Sequence, residues 1–145
     1  MKIDIIAIGA VKRSPYAALQ EEFAKRITWK LTIHEREGRS PEEEQRLIES
    51  KIKPGGYLIM LDERGKTMSS PDFAQYFAKL QNESRSPVQF VIGGAQGLGD
   101  SLRSRADLLL SFGKQTWPHM LARIMVLEQI YRAQTILSGH PYHKA

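Results

Sequence analysis

Three groups of residues in this chain have types and spacings suited to chemistry. Gly93, Gly94, Gly97 and Gly99 crowd the stretch GGAQGLGDSL. Glycine lets backbone approach a ligand closely, and amides near a helix start favour anions. The spacing matches neither the dinucleotide G-x-G-x-x-G nor a phosphate loop with its Lys-Ser/Thr pair. A tight turn and a ligand cradle are both open readings. In HMLARIMVLEQIYRAQTILSG, Glu128 and Arg132 stand i, i+4 for an ion pair, while His119 and Arg123 share another helical face. By spacing alone these are ordinary surface or interface salt-bridge positions. Last, SGHPYHKA gathers His140, Tyr142, His143 and Lys144 around Pro141, groups that move protons, stack on rings or bind anions. His140 and His143 have a metal-like spacing. Pro141 interrupts any regular helix there, the chain has no cysteine and the tail no acid, so no metal site is expected.

These groups sit on a regular alternation of strand and helix. Strands are expected at 2–9, 29–35, 57–61, 88–94 and 107–112, the third and fourth apolar enough to be buried on both faces. Helices are expected from Ser14-Pro15 to about Ile27, from the capping box Ser40-Pro41-Glu42-Glu43 to about Ile52, and from Ser70-Pro71 to about Asn82. A short helix at 100–106 and a long one from His119 to Leu137 follow. The pattern predicts one α/β domain over 1–145, a mostly parallel sheet with helices on both faces. Ligands of such sheets sit beyond the carboxyl ends of the strands. The loops LDERGKTMSS, GGAQGLGDSL and GKQTWPHM are therefore the places for a site.

The final helix carries apolar residues almost all round its axis, which predicts burial on several sides. Its own sheet is expected to cover one side, so a second copy in a symmetric homodimer is expected on another.

With 145 residues, 41% of them hydrophobic, the chain can build one real core. The absence of cysteine excludes disulfides and thiolate chemistry and suits a reducing compartment. The apolar MKIDIIAIGAV is interrupted by Asp4 and is too short to span a membrane, so a cytoplasmic, soluble protein is expected. Residues 73–145 hold 8 Lys/Arg against 4 Asp/Glu, most of the net charge of +5. A polyanionic partner fits that excess, as does a solvated surface.

LDERGKTMSS, FVIGGAQGL, WPHMLARIMVLEQIYRA and GHPYHKA, in this order and chain length, resemble the ribosomal RNA large subunit methyltransferase H family of the SPOUT superfamily. The resemblance implies a C-terminal trefoil knot, S-adenosylmethionine as methyl donor and a homodimer. It also implies N3 methylation of a 23S rRNA pseudouridine, in the stem-loop facing the small subunit, on assembled ribosomes. The family's donor contacts fall on Leu61, Gly94, Gly113, Lys114, Gln115, Thr116, Trp117 and Pro118. Ala95 stands where the family often has proline, and Trp117 and Met120 replace commoner residues, which leaves backbone rather than side-chain contacts as the carried-over feature.

Methylating N3 of a uracil-like ring removes a proton and develops negative charge on the flanking carbonyls. Such a site needs a proton acceptor or water path, cationic donors and a surface that fixes the ring. On this resemblance Tyr142 is expected to stack on or orient the base, His143 and Arg132 to stabilise or relay charge, and Arg123 and Lys144 to meet phosphates. Two other readings stay open: a SPOUT methyltransferase acting on another RNA such as tRNA, and a non-catalytic α/β dimer that docks RNA or the ribosome.

Overall fold

The computed structural model describes residues 1–144, apart from the side chains of His143 and Lys144. Five strands, β1 (Lys2–Ile8), β2 (Lys30–Arg36), β3 (Tyr57–Lys66), β4 (Val88–Ile92) and β5 (Leu108–Leu110), form one sheet in the order β2-β1-β4-β3-β5. Every neighbouring pair is parallel. The helices are α1 (Tyr16–Arg26), α2 (Pro41–Glu49), α3 (Ser70–Asn82), the short α4 (Asp100–Arg103) and α5 (His119–Ser138), with a 3-10 turn at Pro141–Lys144.

The central strands β1, β3 and β4 are largely apolar on both faces, and both faces are covered. Ile3, Ile5, Ala7, Ile59, Val88, Phe90 and Ile92 point into a core built with α3 and α5, where Phe73, Phe77, Leu127 and Ile130 are buried. Their alternate neighbours Ile6, Ile8, Leu58, Met60 and Val91 face the other way, onto Ile48 of α2 and Leu102 of α4. A side-chain period of two thus sorts one apolar run into two cores. Trp29 stacks on Phe77 at 5.1 Å between ring centres, closing the first core near β2.

Local chemistry explains most boundaries. Ser40 caps α2 as expected, accepting from the Glu43 amide at 3.1 Å. The reciprocal arm of the box shifts by one residue, because Glu43 accepts from the Arg39 amide. Ser69 rather than Ser70 caps α3, which frees the Ser70 hydroxyl to donate to Gln129 of α5 at 2.7 Å. β3 runs five residues beyond the expected 57–61. After a break in register, Lys66 returns to pair with Leu110, so β5 holds the extension. α5 ends at Gly139, whose φ of 77° is the left-handed conformation that glycine adopts most easily; there the His140 amide donates to Thr135.

α5 is indeed buried on several sides, with no residue from His119 to Leu137 exposed, but the cover comes from its own chain. α1 and α3 flank it and the sheet lies beneath it. Its all-round apolarity therefore does not by itself require a second subunit. No helix among the described residues is long and apolar enough to cross a membrane.

Candidate active site

The end of β3 and the loops after β4 and β5 converge with the start of α5 around a cleft of about 710 Å³. This lies within the range of roughly 300–1,000 Å³ typical of small-molecule sites. Leu61, Gly94, Gly113, Gln115, Thr116, Trp117 and Pro118 all line it, and the sole candidate donor contact outside the lining, Lys114, is exposed beside them. Residues spread over more than fifty positions meet because the strands are parallel and end on one edge of the sheet.

The glycines serve space as much as turning. Gly97 has a φ of 73° and its amide donates to the Gly94 carbonyl at 2.9 Å, folding 94–97 into a tight turn. A Cβ on Gly94 would lie 3.0 Å from both Ile8 Cγ2 and Glu44 Oε2, so any side chain there pushes the turn. A tight turn and a backbone wall to the cleft are the same object here.

The opposite wall, 111–118, is tied to β3. The Ser111 hydroxyl accepts from the Gly113 amide at 3.0 Å and lies 3.1 Å from the Glu63 carbonyl. Thr116 donates to Glu63 Oε2 at 3.0 Å, and the Trp117 indole donates to the Phe112 carbonyl at 3.3 Å. Asp62, at the foot of the cleft, is bound by the Arg64 amide at 2.8 Å and by Arg103 at 2.5 Å. Burial alone would raise the pKa of its carboxyl. The Arg64 bonds and the Arg103 and Arg64 charges outweigh that and hold it below the usual carboxylate range. Sequence reasoning missed Asp62, Glu63 and Glu44, and gave His119 only a salt-bridge position. Asp62, Glu63 and His119 line the cleft; the signal available was the stretch LDERGKTMSS for the first two and the start of α5 for His119.

The residues expected to handle the base form a second cluster. Arg132 bonds Glu128 through both Nε (2.9 Å) and Nη2 (2.6 Å). Tyr142 donates to the same carboxylate at 3.1 Å. The Arg132 guanidinium lies 5.0 Å from the centre of the Tyr142 ring, which packs on Tyr131 at 4.6 Å. Burial first, then the Glu128 carboxylate, raises the pKa of the Tyr142 phenol, keeping it a hydrogen-bond donor. The tail is therefore docked along α5 rather than loose. Neither Arg132 nor Tyr142 lines the cleft. Glu128 is ten residues along α5 from Pro118, about 15 Å at 1.5 Å per residue. The expected roles of His143 and Lys144 lie outside the described side chains. Among the described residues no group of His, Asp and Glu has a metal-binding arrangement.

Arg123 is a correction. It was expected to meet phosphate, but its side chain is 1% exposed and pairs with Glu35. Its Nη2 donates to the carbonyls of Gly9 (2.7 Å) and Ile8 (3.3 Å), and its Nη1 to Gln20 (3.2 Å). Packing of α5 against β1 and α1 turns a cation on a helical stripe into an internal clamp.

Residues 1–143 match the family described as "Predicted SPOUT methyltransferase". A ribosomal RNA large subunit methyltransferase H of Rhodospirillum centenum is 45% identical over 152 residues, covering all of both chains. One from Zymomonas mobilis is 44% identical over 144 residues and 99% of each. The crystal structure of the SpoU methyltransferase AviRb from Streptomyces viridochromogenes, in complex with the cofactor AdoMet, shares the α/β fold at a TM-score of 0.50 and 14% identity. It matches over 92% of this chain, which spans 60% of that longer one. Full-length likeness, a parallel sheet of this order and the convergence of β3's end with two loops at one edge agree, and the chain belongs to the ribosomal RNA large subunit methyltransferase H family of SPOUT methyltransferases.

Proposed function

We propose that the chain is an S-adenosylmethionine-dependent rRNA methyltransferase that methylates N3 of pseudouridine 1915 in 23S rRNA, on assembled ribosomes. The observation that carries this reading is the cleft itself, which gathers Leu61, Gly94, Gly113 and Gln115 to Pro118 at one edge of the sheet. Its size, backbone-rich walls and crowding at Gly94 fit a nucleoside-sized donor held mainly by amides and carbonyls. The donor would supply an electrophilic methyl group.

The chain's own residues then do the rest. The Ser111 and Glu63 contacts fix the wall at 111–118, so that backbone groups are presented without reorganisation. Arg132 is oriented by Glu128 to face charge developing on the base carbonyls, and Tyr142 offers a ring held by Tyr131 and Arg132. His143 and Lys144 are assigned to charge relay and phosphate contact by the family resemblance.

Because the Arg132–Tyr142 cluster stands apart from the cleft of its own chain, the reading includes a homodimer in which one subunit's tail serves the other's cleft. Exposed Leu19, at 45%, and an apolar hollow of about 500 Å³ between α1, α3 and α5 support a protein neighbour on that face. A C-terminal knot, a single domain and a cytoplasmic location belong to the same proposal. The pairing of β5 outside β3, followed by the return of α5 beneath β4, supports the knotted topology.

Mass spectrometry of RNA after incubation with the protein and donor tests the reading. Methyl incorporation into 23S rRNA of assembled ribosomes is expected. Incorporation only into tRNA would move the chain to another substrate. RNA binding with neither donor binding nor methylation would make it a docking module.

A further inference from the structure

The loop between β1 and α1 is held more firmly than its surface position requires. At its entrance, Arg123 binds the Ile8 and Gly9 carbonyls. Within it, the Val11 amide donates to Glu35 Oε2 at 2.9 Å, the same carboxylate that pairs with Arg123. At its exit, Arg123 reaches Gln20 of α1. Ser14 closes the turn, its amide (2.8 Å) and hydroxyl (2.5 Å) both directed at the Val11 carbonyl. What this frame displays is Lys12 and Arg13, both exposed and in no ion pair among the described residues. Arg13 has a φ of 68°, a left-handed backbone that a long side chain rarely adopts. Such a conformation persists only when its surroundings impose it, as the clamp does here.

The loop also adjoins the cleft. A Cβ on Gly9 would lie 3.2 Å from His119 Nε2 and Met120 Cε, so bare backbone abuts the first turn of α5, and His119 lines the cleft. Four residues span at most about 14 Å, which keeps the Arg13 backbone near that rim.

We propose that the β1–α1 loop, locked by buried Arg123 and its partner Glu35, is an RNA-backbone contact beside the active cleft, with Lys12 and Arg13 taking phosphates. The proposal rests on the rRNA methyltransferase reading and adds residues that the family resemblance did not supply. A buried cation thus acts on phosphate recognition at one remove: Arg123 and Glu35 are positioning residues, and the two exposed cations make the contact.

The test is Lys12→Gln/Arg13→Asn, in which asparagine tolerates the left-handed backbone. Lys2→Gln/Lys30→Gln, paired across β1 and β2 at the opposite edge of the sheet, removes the same charge elsewhere. Binding of assembled ribosomes is measured across a salt series. The first variant is expected to flatten the slope of log affinity against log salt by about 1.4 to 1.8, at about 0.7 to 0.9 per lost phosphate contact. It should also raise the KM for RNA roughly tenfold, with kcat and calorimetric donor affinity unchanged. Lys12→Arg/Arg13→Lys should restore the slope. An unchanged slope in the first variant, equal flattening by the Lys2/Lys30 pair, or RNA binding by the wild type that is insensitive to salt overturns the proposal. The slope needs no methyl donor, so its outcome is separate from that of methylation by the wild type, on which the parent reading stands.

Discussion

Gly94 and Asp62 show how single residues set the cleft. At Gly94 the constraint is contact, since a Cβ already touches Ile8 and Glu44 at 3.0 Å. Gly94→Val is expected to weaken donor binding at least about tenfold, or about 1.4 kcal/mol, by calorimetry, with little loss of folded protein by circular dichroism. Asp62 has a depressed pKa in the folded chain. Its contribution is therefore complete above the unfolded carboxylate value, about 3.9, and is lost as pH falls through the lower folded value. Asp62→Asn should lower the melting temperature at neutral pH and flatten its decline in acid below about pH 4. Tyr142→Ala is expected to cut the methylation rate by roughly 5- to 150-fold, the equivalent of about 1–3 kcal/mol for one base stack. Tyr142→Phe should keep most of the rate if the ring matters more than its bond to Glu128.

Among the elements, α2 and α5 contrast in what fixes them. α2 begins where a local signal says it should, with Ser40 accepting from Glu43. Ser40→Ala should cost about 1 kcal/mol in denaturant-derived stability, since the cap satisfies one otherwise orphaned amide. α2 also holds Glu44 beside Gly94, so fraying there should loosen the glycine turn. α5 has no side-chain cap, and its position comes from packing on α1, α3 and the sheet. The composition of α5 announced its burial but not what buries it.

Over the whole molecule, one edge of the sheet carries both the cleft and the Lys12–Arg13 loop, while the docked tail lies along α5. Removing residues 140–145 is expected to abolish methylation of ribosomes while leaving donor affinity and the dimer largely intact, measured by calorimetry and by sedimentation. Loss of the dimer instead would make the tail a structural strap. Charge is also redistributed by folding. The basic excess of the linear chain lies in residues 73–145, where Lys114 stands exposed beside the cleft, yet the exposed cations Lys12 and Arg13 come from the half where acids nearly balance bases.

The strand-helix alternation, the double-sided apolar central strands, the Ser40 cap and the choice of three segments, two of them loops, were legible in the amino-acid order, because each depends on periodicity or hydrogen bonding within a few residues. The lengthening of β3 was not, since Lys66 pairs with Leu110 across 44 positions. Nor was the fate of Arg123: its stripe on α5 allowed a surface cation, and only the approach of β1, β2 and α1 supplied Glu35, Gln20 and two carbonyls to bury it. Local pattern determines which segments become strand or helix. Which charges face solvent is decided by long-range packing, where a partner 88 residues away outcompetes water.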